Sequence, residues 1–467
     1  MTQGYRKFLS SKTRRLQPMG FEPRDLSPML KPWQAETVAW AVRRGRAALF
    51  EDCGLGKSFQ QLEWAAQVHR HTGGNVIIHC PVGVRQQTLR EAEKFQIPVL
   101  VRIVDRQNDV KPGVSLVNYE KLHHFDPSQF GGVVLDESQI LKNYTGKIKR
   151  KLLEAYARTP CRLACTATPA PNDHMELGNQ ADFLGVMPSN EMLSRWFIND
   201  TMKAGGYRLK RHAVDDFWRW CASWAICIEK PSDIGHSNEG YELPPLNTIE
   251  HLVELTDDTP PAGWLFDCGK ISATNIHGRK RKSIPDRAAK AAEIVAAKPR
   301  DAWLIWCQTN YEADELRRHI PEAVEVRGNH SEAIKEERLL GFSAGEIRIL
   351  LTKPTVAGLG MNWQHCHNVV FAGLNYSYEE YYQAIRRVWR FGQSSPVDVH
   401  LLSTPTEVAI RKSVDGKKAQ HVAMQSGMAQ AMKRFMAGEL HDELTRAEYT
   451  ADKAMGLPAW FSKGVCQ

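Results

Sequence analysis

The chain has 467 residues, 42% of them hydrophobic and 24% charged, with a formal charge of +8 at pH 7. This composition fits two or three domains with sizeable cores, and it excludes a chain disordered throughout. No apolar run reaches the roughly 18 residues needed to span a membrane, and the ten cysteines contain no Cys-x-x-Cys pair, which gives a disulfide framework or zinc finger little support and fits a reducing cytoplasm.

Residues 1–29, basic and carrying Pro18, Pro23 and Pro28, read as an N-terminal extension without a secretion signal. A helical pattern through Ala35, Val38, Ala39 and Val42 follows Leu30-Lys31-Pro32-Trp33-Gln34, and the Gln34 amide has the donor and acceptor needed to read an adenine edge. The apolar run Ala47–Phe50 predicts a buried strand that leads into Glu51-Asp52-Cys53-Gly54-Leu55-Gly56-Lys57-Ser58. Here Gly54 and Gly56 let backbone N–H groups face a phosphate, Lys57 reaches the outer phosphates, Ser58 is placed to ligate magnesium, and a helix over Phe59–Val68 points its positive end at the anion. The general phosphate-loop pattern wants glycine where this chain has Glu51.

Strands and helices then alternate, with strands at 75–81, 114–119, 131–137 and 162–165 and a helix over Thr88–Phe95. The fourth strand ends in Asp136-Glu137. In a parallel sheet this pair emerges near the phosphate loop, Asp136 to hold magnesium through water and Glu137 to polarise the attacking water. Thr166-Ala167-Thr168-Pro169 follows the next strand, with hydroxyls able to link the acids to a moving part.

Residues 188–245 break the alternation and are rich in aromatics, with Phe217, Trp220 and Trp224 at helical spacing; they read as a helical insertion whose aromatic face is buried. Lys210 and Arg211 beside it, and Arg279, Lys280, Arg281 and Lys282 in a polar linker over 246–283, are the candidate nucleic acid contacts. Alternation restarts over 284–415, and this second lobe carries Gly360 in a glycine-bearing loop. It also contains Tyr382-Gln383-Ala384-Ile385-Arg386-Arg387-Val388-Trp389-Arg390-Phe391-Gly392-Gln393. Arg387 and Arg390, three apart, are expected on one helix face, aimed at a phosphate held by the first lobe. His365-Cys366-His367 reads as packed or loop residues rather than a metal site. Residues 416–467 form a helical tail, with Met424, Met428, Met432 and Met436 four apart and expected to pack on the second lobe.

Gln34, Gly54-Leu55-Gly56-Lys57-Ser58, Asp136-Glu137-Ser138-Gln139 and Thr166-Ala167-Thr168-Pro169 resemble successive motifs of superfamily 2 helicases, in order and in spacing. The acid before the glycines and the string Gln383-Ala-x-x-Arg387-x-x-Arg390-x-Gly-Gln393 are similar to the Swi/Snf-type translocases. Departures from that group are Ser58 for threonine, Ser-Gln after the acids and Thr-Ala-Thr for Thr-Gly-Thr. The resemblance implies an α/β fold of two tandem RecA-like doubly wound lobes, lobe 1 over 30–187 and lobe 2 over 284–415. It implies ATP and Mg2+ as cofactors, with Gln34, Gly54, Gly56, Lys57, Ser58 and Gly360 at the nucleotide, and Thr166, Thr168 and Gln383 in coupling. The expected activity is that of a DNA-dependent ATPase, a cytoplasmic monomeric motor on double-stranded or branched DNA in a bacterial or bacteriophage setting. An RNA helicase and an ATP-gated clamp that does not travel are the alternatives.

Overall fold

The computed structural model describes residues 19–142, 146–200, 206–254, 281–357, 361–373, 375, 377–404 and 408–436. Among these, seven parallel strands build the first sheet, in the order β3-β4-β2-β5-β6-β1-β9. They are β1 (Arg46–Glu51), β2 (Asn75–His79), β3 (Val101–Ile103), β4 (Val114–Val117), β5 (Phe130–Asp136), β6 (Cys161–Cys165) and β9 (Ala225–Ile228). Helices cover both faces, so the central strands are apolar on both sides; every residue of β1 after Arg46 is buried. Helix α1 (Pro32–Arg44) precedes β1, and α2 (Lys57–Thr72) follows it.

The register fixes the site. Leu49 of β1 is level with Cys165 of β6, and Cys165 is level with Asp136 of β5. The loop after β1 and the acids after β5 therefore leave the sheet at the same edge with one strand between them, where ligands of open parallel sheets bind.

The second sheet has the order β10-β15-β14-β11-β13-β12, again parallel throughout. Its strands are β10 (Leu246–Leu252), β11 (Trp303–Trp306), β12 (Val324–Val326), β13 (Ile349–Thr352), β14 (Asn368–Phe371) and β15 (Val397–Ser403). Its own core holds Trp303, Trp306 and Trp363, each fully buried. This is the expected α/β architecture of two parallel-sheet lobes.

Three boundaries differ from the sequence reading. Residues 188–245 are not a helical insertion separate from the first lobe. They contain an antiparallel hairpin of β7 (Phe197–Asp200) and β8 (Gly206–Leu209), helix α3 (Val214–Ala222), and β9, which pairs with β1. Most of the aromatic face is buried: Phe217 and Trp224 are in the core, with buried Trp196 and half-buried Trp220 packed edge-on or tilted against them. Residues 246–252, read as linker, are the edge strand β10 of the second sheet. Both faces of β10 are largely exposed, which removes the apolar pattern that marks a strand. The final helix runs over Val408–Met436 and touches the second lobe through Arg411, paired with Glu250, and His421, against Tyr378 and Tyr382, but its methionine face packs on the first lobe, not the second. Met424, Met428 and Met432 join the first core, and the Cys227 N–H donates to Met432 Sδ at 3.0 Å.

Candidate functional site

The loop between β1 and α2 is shaped by two glycines in the left-handed region, Gly54 at φ +92° and Gly56 at φ +82°. A Cβ on Gly56 would lie 2.6 Å from the Gln34 amide nitrogen, and one on Gly54 would lie 3.3 Å from the Phe391 ring. The backbone can curl only because both side chains are missing. Lys57 Nζ folds over this curl, donating to the Glu51 carbonyl at 2.6 Å and to the Asp52 carbonyl at 3.0 Å. Ser58 follows on the first turn of α2. Gln34 braces the loop: its Nε2 donates to the Leu55 carbonyl at 2.8 Å, and its Oε1 accepts from Lys31 N at 3.0 Å. One donor and one acceptor of the amide are thus already committed to the backbone.

Glu51 is fully buried beneath the loop, where Gln60 Nε2 donates to it at 2.7 Å. Burial pushes its carboxyl up to about 7, against the pull of Lys57 and Gln60. Asp136 is likewise pushed up to about 7 by burial and then by the neighbouring Glu137; Gln61 and Lys57 oppose the shift. Gln61 Nε2 donates to Asp136 Oδ1 at 2.7 Å, and the Tyr119 hydroxyl donates to the Asp136 carbonyl at 2.6 Å. Glu137 sits at φ +56°, and its buried Oε2 has no partner among the described residues. A cleft of about 640 Å³ opens beside it, lined in part by Tyr119, Gln139, Lys142 and Glu379.

Helix α4 (Tyr378–Ile385) of the second lobe is capped by the Ser377 hydroxyl. It ends before the arginines. Tight turns, Arg387 N to Ala384 O at 3.4 Å and Val388 N to Ile385 O at 3.0 Å, carry the chain on. Arg387 and Arg390 therefore do not share a helix face, a correction to the spacing argument. They still lie together, each donating an Nη1 hydrogen to the Met361 carbonyl at 3.4 Å. Burial lowers both: Arg390 falls to about 10, with the charge of Arg387 as the next cause. Gln383 is buried on α4 with its Nε2 unpartnered among the described residues.

Two residues that the sequence reading did not assign close the site. Arg386 Nη2 donates to Asp52 Oδ2 at 2.6 Å and to the Cys53 carbonyl at 2.8 Å, and the Tyr382 hydroxyl donates to Asp52 Oδ1 at 2.5 Å. These contacts join the lobes directly at the phosphate loop. A second junction runs from Thr166, whose hydroxyl donates to Gln139 Oε1 at 2.5 Å, through Gln139 to Glu379, which also pairs with Lys142 at 2.5 Å. The Thr168 N–H donates to the Thr166 hydroxyl at 3.1 Å.

The donor set fits a nucleotide with magnesium. Buried polar atoms without a partner among the described residues gather at the junction: Glu137 Oε2, Thr168 Oγ1, Arg386 Nε and Nη1, and Arg387 Nε. No group of three or more His, Cys, Asp or Glu among the described residues could hold a metal alone. One hydroxyl and one carboxylate suit a magnesium whose other ligands are phosphate and water.

The candidate nucleic acid contacts are scattered. Lys210 Nζ donates to the carbonyls of Ser194 at 3.0 Å and Arg195 at 2.8 Å, capping a helix end rather than facing solvent freely. Arg211 is exposed. Arg281 lies 4.6 Å over the Tyr311 ring, and Lys282 is exposed beside it. Gly360, Arg279 and Lys280 lie outside the described residues. Cys366 is buried with its thiol donating to backbone carbonyls, in keeping with a packed residue. No helix among the described residues is long and apolar enough to cross a membrane.

Residues 286–392 match the helicase conserved C-terminal domain family. A SWI/SNF-related matrix-associated actin-dependent regulator of chromatin subfamily A-like protein 1 homolog from Caenorhabditis elegans is 32% identical over 134 residues, 26% of this chain and 19% of that protein. The ATP-dependent helicase FUN30 of Saccharomyces cerevisiae is 29% identical over 196 residues, 36% of this chain and 17% of its own length. The matched region thus spans less than a fifth of these relatives. The Sulfolobus solfataricus SWI2/SNF2 ATPase core in complex with dsDNA aligns at 18% identity and a TM-score of 0.42, covering 88% of this chain and 96% of that one.

Proposed function

We propose that this chain, a superfamily 2 helicase of the Swi/Snf type, is a DNA-dependent ATPase that moves along or remodels double-stranded or branched DNA. The observation that carries this reading is the meeting of two half-sites. The phosphate loop and acids of one lobe face an arginine turn of the other across a junction of unpartnered buried polar atoms.

ATP is the substrate, its phosphates received by the loop N–H groups of Gly54–Ser58 and by Lys57, which must leave the Glu51 and Asp52 carbonyls to reach them. Magnesium, when bound, would supply charge neutralisation at the outer phosphates, held by the Ser58 hydroxyl and, through water, by Asp136. Glu137 orients and deprotonates the attacking water. Arg387 and Arg390 balance the charge that develops on the transferred phosphoryl group, an effect worth about a thousandfold or more in rate. Thr166, Thr168 and Gln383 relay the state of the site across the lobe junction, through Gln139 on the first lobe and Glu379 on the second. Opening and closing of the lobes steps the protein along the duplex, gripped through phosphates by exposed basic residues such as Arg211, Arg281 and Lys282. We place the working protein in the cytoplasm as a monomeric motor.

The test is ATP hydrolysis by the wild type and by Lys57→Ala, with and without duplex DNA. Stimulation by DNA that vanishes in the variant supports the proposal. Hydrolysis retained by Lys57→Ala would remove it.

A further inference from the structure

Arg386 is the most deeply buried charge at the lobe junction, with no exposed surface, yet the hydrolytic scheme above gives it no task. Its Nη2 reaches both Asp52 Oδ2 and the Cys53 carbonyl. Asp52 in turn accepts the Tyr382 hydroxyl and its neighbour's N–H, from Cys53 at 2.6 Å. The guanidinium lies 5.0 Å from the Trp389 ring and 5.6 Å from that of Phe391. An aromatic cage of this kind excludes water and strengthens the ion pair it encloses.

The position matters more than the strength. Asp52 stands two residues before Gly54 in the phosphate loop, and Arg386 is the residue next to Arg387 in the arginine turn. A contact here sets the distance between the two halves of the hydrolytic site. Arg386 does not need to touch a phosphate to control where Arg387 and Arg390 stand. We infer that Arg386, clasping Asp52 with the help of Tyr382, is a positioning residue that registers the second lobe's arginine turn on the first lobe's phosphate loop. This rests on the proposed ATPase, but the clasp itself also predicts a shape change that needs no turnover.

Removing either partner strands the other in a buried setting, so the same effect is expected from both sides. The experiment measures kcat and KM for ATP with duplex DNA, and the radius of gyration by X-ray scattering without nucleotide, for the wild type, Arg386→Ala, Arg386→Lys, Tyr382→Phe, Asp52→Ala and Arg386→Ala/Asp52→Ala. Arg386→Ala is expected to lower kcat about a hundredfold, as displacement of a reacting group by about 1 Å does, with KM changed by less than about threefold. Arg386→Lys should recover part of the loss, and Tyr382→Phe should show a smaller loss of the same kind. The double variant should be no worse than the poorer single, because one contact is removed twice. The nucleotide-free radius of gyration should rise in Arg386→Ala and Asp52→Ala alike. Unchanged kcat in Arg386→Ala, losses that multiply in the double variant, or an unchanged radius would each overturn the inference. A wild type that hydrolyses no ATP would instead overturn the proposed function, and the scattering comparison would still decide the clasp.

Discussion

Gln61, one turn into the helix after the phosphate loop, donates its side-chain amide to Asp136 at the end of β5 at 2.7 Å. This bond ties the lysine-bearing element to the acid that would hold magnesium, so neither moves without the other. Gln61→Ala should leave the fold intact, because Asp136 remains buried in the same sheet. It should raise the magnesium concentration needed for half-maximal ATPase several-fold, about the tenfold loss typical of a lost partner behind a metal ligand. A magnesium titration of the two proteins checks this.

Glu51 and Asp136 make stability fall as pH rises. Both carboxyls are raised to about 7 by burial, so between pH 4.5 and 7 the folded protein holds protons that the unfolded chain has released. Stability is then greatest at the acid end of that window and is lost as pH passes through 7, where the groups ionise in the folded state. Glu51→Gln, which keeps the shape beneath the loop, should flatten this slope and raise the melting temperature at pH 8 relative to wild type. Thermal unfolding at several pH values without nucleotide is the measurement.

Glu137→Gln and Arg390→Ala should separate chemistry from binding. Each is expected to lower DNA-stimulated kcat, by about a hundredfold or more for the acid proposed to activate water and about a thousandfold for the arginine, while a fluorescent ATP analogue still binds. Single-turnover rates alongside equilibrium binding decide it; an Arg390→Ala enzyme with wild-type turnover contradicts the two-lobe site.

Met428 is fully buried on α5 (Val408–Met436), among first-lobe residues. Met428→Ala should cost about 2–5 kcal/mol of stability, whereas Val422→Ala, half-exposed on the same helix, should cost well under about 1 kcal/mol. Chemical denaturation of both variants tests whether the final helix is part of the first lobe's core.

Much of the site was legible because its signals are local. An apolar run, two glycines and a lysine define the phosphate loop, and a strand ending in two acids defines its neighbour; the parallel register then brings them together. What could not be read is what depends on contacts between distant segments. The four-residue methionine spacing announced a packed face, but spacing carries no record of which lobe receives it. Strand β10 has the pattern of neither a buried strand nor a helix, since it lies exposed at a sheet edge. The arginine turn misled for a related reason: a three-residue interval suits a helix, yet α4 stops at Ile385 and the chain tightens into turns. Arg386 left one trace, a third arginine set among Ile385, Val388 and Trp389, an apolar setting in which a charge needs a buried partner. The partner, Asp52, is 334 residues away.

Hydrolysis rates with duplex DNA, branched DNA, single-stranded DNA and RNA, measured side by side in one buffer, test the proposed ATPase driven by duplex DNA. Duplex or branched DNA is expected to raise the rate well above the rate without nucleic acid, RNA is not, and the stimulation should weaken steeply as salt is increased. A rate unaffected by every nucleic acid would contradict the proposal.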